Sequence, residues 1–114
     1  MGSFIYDTAA HAVQIEDRTL AHLRIVVMNK LRRSEPFMLD LDMHDGSGHR
    51  SYWIHQGVPL QFRFFTGRPV PINRLWIEAL MECASGPNGL TIVPEPPATP
   101  QSADSVEPRP SATV

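Results

Sequence analysis

The feature that most constrains the fold is a strict alternation of apolar and polar residues in the stretch PFMLDLDMH, residues 36–44. In an extended chain, one side then carries only apolar side chains: Phe37, Leu39, Leu41 and Met43. The other side carries Met38, Asp40, Asp42 and His44. The glycines of DGSG predict a turn, and RSYWIHQ returns as a second strand. This segment is therefore predicted to be a β-hairpin with one buried face.

The rest of the chain supplies further strands and two helices. SFIYD and HAVQIE read as a first hairpin, PLQFRFF as a further strand and LTIV as a last strand. Apolar residues at helical spacing predict helices in RTLAHLRIVVMNKLRR and NRLWIEALMECAS, with Asp17 and Asn73 as their N-caps. The predicted class is α+β: a two-layer fold in the order ββαβββαβ, with a mostly antiparallel sheet and both helices on one face.

Proline separates a folded part from a tail. Six of the 11 prolines fall in residues 94–114, a stretch without an aromatic residue. Such a composition buries too little apolar surface to offset the entropy lost on ordering. We expect a single domain over residues 1–93 and a disordered, acidic, Pro-rich tail over residues 94–114.

Charge and composition exclude several classes of function. The 10 basic and 12 acidic residues of the chain leave nine of each in residues 1–93, so the basic excess typical of phosphate binding is missing. No apolar run is long enough for a membrane span, and no secretory signal opens the sequence. With one cysteine, Cys83, a cytoplasmic location is expected. No cofactor is predicted, because the chain has no P-loop and no G-x-G-x-x-G motif.

The acidic hairpin raises the question of a metal site. Asp40, Asp42 and His44 occupy positions i, i+2 and i+4 of one strand face, and oxygen and imidazole ligands arranged in this way could hold a divalent ion. The same residues are equally expected on the solvated face of a sheet whose other face is covered by helices. No Cys or paired-His zinc signature accompanies them. We favour the solvated face and keep the metal site as an alternative.

A candidate binding face lies on the same side of the predicted sheet. If Tyr52 and Ile54 point inward, large apolar residues stand among polar ones on the outer face. The candidate contact residues are Met38, Trp53, His55, Arg63 and Phe65. A protein partner, or a second copy of the chain in a homo-oligomer, is the expected ligand. The aromatic residues could instead stack nucleic-acid bases, with Arg63 nearby.

Several segments resemble a family of short actinobacterial proteins of about this length. The resemblance rests on IEDRTLAHLRIVVMNKLRRSEPF, WIHQGVPLQFRF, NRLWIEALM and GLTIVPEP, and covers nearly all of residues 1–97. The family is essentially uncharacterised, and many of its members carry the automatic name "ATP-dependent DNA ligase". The resemblance therefore implies an accessory role in DNA ligation or repair as an alternative to protein binding.

A self-contained ligase conflicts with the residues. Nucleotidyl-transferring ligases need a lysine within a K-x-D-G motif, whereas the only lysine here is Lys30, followed by LRR at the end of a predicted helix. That lysine and its arginine neighbours are expected on the solvated side and end of the helix. The chain also lacks a G-x-S-x-G elbow, and Cys83 is typical of a small core residue. A non-catalytic interaction module is the predicted function.

Overall fold

The computed structural model describes residues 1–8, 11–43 and 46–97 of the chain. Its elements follow the predicted order ββαβββαβ. They are β1 (Gly2–Tyr6), β2 (Ala12–Ile15), α1 (Asp17–Arg32), β3 (Phe37–Met43), β4 (Gly48–Ile54), β5 (Leu60–Arg63), α2 (Arg74–Ala84) and β6 (Leu90–Thr91). The predicted α+β class is confirmed. No helix of the described residues is long and apolar enough to cross a membrane.

The strands form two sheets of three strands rather than one continuous sheet. One sheet has the order β2-β1-β5 and the other the order β4-β3-β6; only the short β3–β6 pair is parallel. Strand β5 does not continue the hairpin of β3 and β4 into a single antiparallel sheet, because it pairs with β1. Residues 55–59 connect β4 to β5. In this connection the side-chain amide of Gln56 donates to the carbonyl of Leu31, and the backbone N–H of Val58 donates to the carbonyl of His55.

Both sheets and both helices share one apolar core. The alternation predicted for β3 holds, since Phe37, Leu39 and Leu41 are buried. Aromatic rings join the two sheets: the ring centroids of Phe4 and Tyr52 lie 5.9 Å apart in an edge-on arrangement. The helices bury the predicted apolar stripes against this core, including Leu20, Leu23, Val26, Val27, Trp76 and Leu80.

The two predicted helix caps differ in outcome. Asn73 caps α2, its side-chain oxygen accepting from the N–H of Leu75 at 3.0 Å. Asp17 is the first residue of α1 rather than its N-cap, a position occupied by Glu16 without a side-chain bond. The Asp17 carboxylate instead accepts from the N–H groups of Phe65 and Thr66, at 3.0 and 2.9 Å. These two bonds lower the pKa of Asp17 and attach the segment after β5 to α1.

The contacts of the folded part continue past Val93, the predicted domain boundary. The indole N–H of Trp76 donates to the carbonyl of Val93, and the Asn73 amide donates to Glu95 and to the carbonyl of Pro96. Arg18 of α1 forms a bidentate ion pair with Glu95. Residues 93–96 therefore form a strap across the N-terminal ends of the two helices.

A buried histidine lies under this strap. The Nε2 atom of His22 accepts from the backbone N–H of Asn73 at 2.9 Å, so its Nδ1 atom carries the proton and donates to the carbonyl of Arg18 at 2.7 Å. The side chain is fully buried, and its ring packs on that of Trp76 at 4.5 Å. Both ring nitrogens are satisfied, which is what a buried polar group requires.

Candidate functional site

Two of the predicted contact residues form a facing apolar pair. Met38 of β3 lies directly opposite Trp53 of β4, and 37% and 49% of their surfaces are exposed. Their sequence neighbours on both strands point into the core, so the pair is on the outer face because of the two-residue period of the strands. Cross-strand neighbours of this kind contact one another and present one continuous apolar surface.

The pair borders a cleft of about 670 Å³. Beside Met38 and Trp53, its walls are the end of α1 with the following residues Glu35 and Pro36, and the last residue of α2 with the loop of residues 85–89 that follows it. The chain places these parts together because α1 leads directly into β3, and α2 leads into β6, which pairs with β3. The cleft therefore lies where the ends of both helices meet the start of β3.

Lys30 lies in the wall of the cleft, although the sequence predicted it on the solvated end of the helix. It is 5% exposed, and its Nζ atom lies 3.0 Å from a Glu35 carboxylate oxygen and 3.3 Å from the Ser85 hydroxyl. Burying the stem while pairing the ammonium group is the usual arrangement for a lysine at such a position. The signal was present in the sequence, because Lys30 follows Val26 by four residues on the buried stripe of α1.

The opposite wall is fixed in place by close main-chain packing. Gly89 has φ +81°, and a Cβ atom there would lie 2.6 Å from the carbonyl oxygen of Met38. The Cys83 Sγ atom lies 3.5 Å from both the carbonyl oxygen of Gly89 and the backbone nitrogen of Thr91. Only glycine fits at position 89, so the loop after α2 packs directly against the main chain of β3.

The remaining predicted contact residues lie elsewhere. Arg63 is on β5, in the sheet that does not contain Met38 and Trp53, and it lies opposite Ser3 of β1. Phe65 follows β5, and 81% of its surface is exposed. His55 follows β4 and is half-buried, its Nδ1 atom accepting from the N–H of Gly57. The structure thus brings Met38 and Trp53 together, and it places Arg63 and Phe65 on a different sheet.

The residues of the alternative metal site are only partly described. Asp40 and Asp42 lie on the outer face of β3 opposite Ser51 and His49, and the Ser51 hydroxyl donates to Asp40. His44 lies outside the described residues. Within residues 1–8, 11–43 and 46–97, no three His, Cys, Asp or Glu side chains come together as metal ligands.

The arrangement in the cleft is suited to binding. Its surface combines an exposed apolar pair with polar groups that are already bonded to one another, namely the Lys30 ammonium, the Glu35 carboxylate and the Ser85 hydroxyl. No histidine or cysteine lines it among the described residues. Exposed apolar side chains beside polar groups that are already hydrogen-bonded are typical of protein interfaces.

Comparison with known proteins identifies a family. A family described as "Domain of unknown function (DUF7882)" matches residues 1–95, which takes in all six strands, both helices and the strap as far as Glu95. No curated protein and no solved structure matches the chain.

Proposed function

The chain belongs to the DUF7882 family, and we propose that it is a cytoplasmic, non-catalytic module that binds a protein partner through the Met38–Trp53 cleft. The observation that carries the proposal is the exposed pair Met38 and Trp53 at the edge of the cleft. Methionine and tryptophan are enriched at the centres of protein interfaces, where a few large side chains supply most of the binding energy.

The electrostatics of the cleft favour a protein over a nucleic acid. Lys30 is the one cationic side chain among the described residues that line it, and that ammonium group is already paired with Glu35. A phosphate backbone requires several cations that are free to replace its counterions. An accessory role in DNA ligation, the alternative that the family resemblance implies, would need a basic surface elsewhere on the molecule.

A pair of matched aromatic substitutions tests the proposal. Trp53→Ala removes the larger side chain of the exposed pair at the cleft, whereas Phe65→Ala removes an even more exposed ring in the segment after β5. We expect partner proteins to be captured from a cell extract by the unaltered chain and by the Phe65→Ala variant, with recovery at least tenfold lower for Trp53→Ala. Circular dichroism should show all three chains folded. Equal recovery by both variants would contradict the proposal.

The same chains distinguish the other two predicted partners. Anisotropy of labelled single-stranded and nicked duplex DNA, at about 50 and 200 mM salt, should show no salt-sensitive binding, because phosphate-driven binding weakens steeply over this range. Sedimentation of the chain alone should give a monomer at micromolar concentration. Salt-sensitive DNA binding that is weakened by Trp53→Ala would identify a nucleic acid, rather than a protein, as the ligand of the cleft. A dimer that is dissociated by Trp53→Ala would identify a second copy of the chain as the ligand.

A further inference from the structure

Each of the two sheets has an open edge in the same region of the molecule. In the sheet β2-β1-β5, strand β2 pairs only with β1. In the sheet β4-β3-β6, strand β6 pairs with β3 only at Leu39 and Asp40. Residues 41–43 of β3 therefore pair with β4 on one side and have no described strand on the other. Open edges of this kind carry unpaired N–H and C=O groups that can accept a further strand.

The two open edges border one groove. A cavity of about 590 Å³ lies between the two edges and is lined by residues 13–16 at β2, by residues 40–42 of β3, by Thr91 and Ile92 at the end of β6, and by Met1 and Thr19. Among the described residues, no backbone hydrogen bond joins β2 to β3 or β6 across it. Strand β2 has four residues and therefore offers roughly 13 Å of edge, at about 3.3 Å per residue.

The surface of the groove is apolar inside and acidic at its rim. Val13, Ile15 and Leu41 are buried side chains of its walls. Glu16 and Asp42 are exposed and Asp40 is partly exposed. Met1, with its terminal amino group, also lines the groove, but no Lys or Arg side chain of the described residues does, so the side-chain charge of the rim is acidic. Successive side chains of a strand point to opposite faces. A strand that enters this groove is therefore complementary to it when its apolar side chains face the walls and its cationic side chains face the acidic rim.

We propose that this groove binds an extended segment of a partner protein with alternating apolar and Lys or Arg residues, which adds as a strand between β2 and β3. Main-chain hydrogen bonds to the two edges hold the segment, and the acidic rim selects its charge. The site lies toward the end of β3 that is remote from Met38, so it is separate from the cleft of the proposed function. The two proposals are therefore independent of one another.

Three labelled peptides test the proposal with the full chain. The first probe is a seven-residue peptide of alternating Lys and Val, the second replaces each Lys by Glu, and the third is the Lys/Val peptide with N-methylated backbone. Anisotropy should show binding of the first probe, with dissociation constants at least tenfold higher for the other two. Methylation removes the hydrogen-bond donors of the strand and leaves its charge unchanged, so equally tight binding of the third probe would overturn strand addition.

Variants and amide chemical shifts locate the site. Glu16→Gln with Asp42→Asn should raise the dissociation constant of the Lys/Val peptide about tenfold, whereas Glu78→Gln with Glu82→Gln, on the exposed side of α2, should not change it. Amide shifts on binding should concentrate at residues 13–16 and 41–43 and persist in Trp53→Ala. Absence of binding, shifts centred elsewhere, or the same shifts produced by raising the concentration of the protein alone would each overturn the proposal.

Discussion

Gly2 lies in β1 at a point where its neighbours leave no room for a side chain. A Cβ atom there would lie 2.5 Å from the carbonyl oxygen of Arg63 and 2.7 Å from a methyl group of Leu20. We expect Gly2→Ala to lower the free energy of unfolding by about 1–3 kcal/mol, because well-packed sites respond to added atoms by strain. Urea unfolding measures this, with Gly67→Ala as the control, since a Cβ atom at position 67 meets nothing within 4 Å. Equal stability of the two variants would contradict the close packing of β1 against β5 and α1.

Glu95 makes the stability of the molecule depend on pH. Hydrogen bonds from Arg18, and then from Asn73, lower its pKa from the ordinary 4.5 to about 2. Its stabilising effect is therefore fully present above the ordinary pKa and is lost as the pH falls toward 2. At pH 7, Glu95→Gln should cost about 1 kcal/mol, a value reduced by solvent screening of the partly exposed pair.

The pH dependence of this cost separates the ion pair from other effects of the substitution. The difference in urea unfolding free energy between the unaltered chain and Glu95→Gln should be constant from pH 7 to pH 5 and shrink between about pH 4.5 and 2.5. Glu78→Gln, at an exposed position of α2, is the matched control and should show a difference near zero throughout. A cost of Glu95→Gln that stays the same at pH 2.5 would exclude the carboxylate charge as its cause.

At the scale of elements, Asn73 serves both helix α2 and the strap. Its Oδ1 atom caps the helix by accepting from Leu75, and its Nδ2 atom holds Glu95 and Pro96. Asn73→Ala should lose both functions and about 2 kcal/mol of stability, roughly half of it from the cap and half from the strap. Asn73→Ser keeps a capping oxygen but cannot bridge to the strap, so it should lose about 1 kcal/mol. Thermal unfolding of the two variants measures the difference, and equal losses would show that the cap contributes nothing.

Elements were predictable from the sequence where a local pattern determines them. The strict two-residue period of β3 placed Met38 outside and Leu39 inside, because a half-buried strand with one apolar face allows one register only. On β4 the outer position of Trp53 was predicted only on the condition that Tyr52 and Ile54 point inward, and the structure buries both of them. Asn73 was recognisable as a cap for an equally local reason. The Asp17 carboxylate, by contrast, has its partners 48 and 49 residues away in sequence, and no local pattern reveals such a contact.

At the scale of the whole molecule, long-range partners decide the features that sequence reasoning missed. Strand β5 has the alternation of any half-buried strand, and this pattern does not tell β1 from β4 as its neighbour. The Pro-rich composition after Val93 predicted a tail, whereas the structure shows Glu95 and Pro96 accepting hydrogen bonds from Arg18 and Asn73, partners that are distant in sequence. The cleft beside Met38 likewise depends on Lys30 and on the loop after α2, which are brought together only by the packed fold.

The two sheets should unfold as one cooperative unit, although no strand pairing joins them within the part of the chain that the structure describes. Their inner faces share a core in which Tyr52 contacts Phe4 and Tyr6, and the Tyr6 hydroxyl donates to the carbonyl of Trp53 at 2.8 Å. Either sheet alone would expose this core to water, so a state with one sheet folded is unstable. In Trp53→Phe, whose remaining tryptophan Trp76 reports on the core, urea transitions followed by fluorescence and by far-UV circular dichroism should coincide. Two separated midpoints would mean that the sheets are independent units, and the groove between them would then be a gap between separately folded parts.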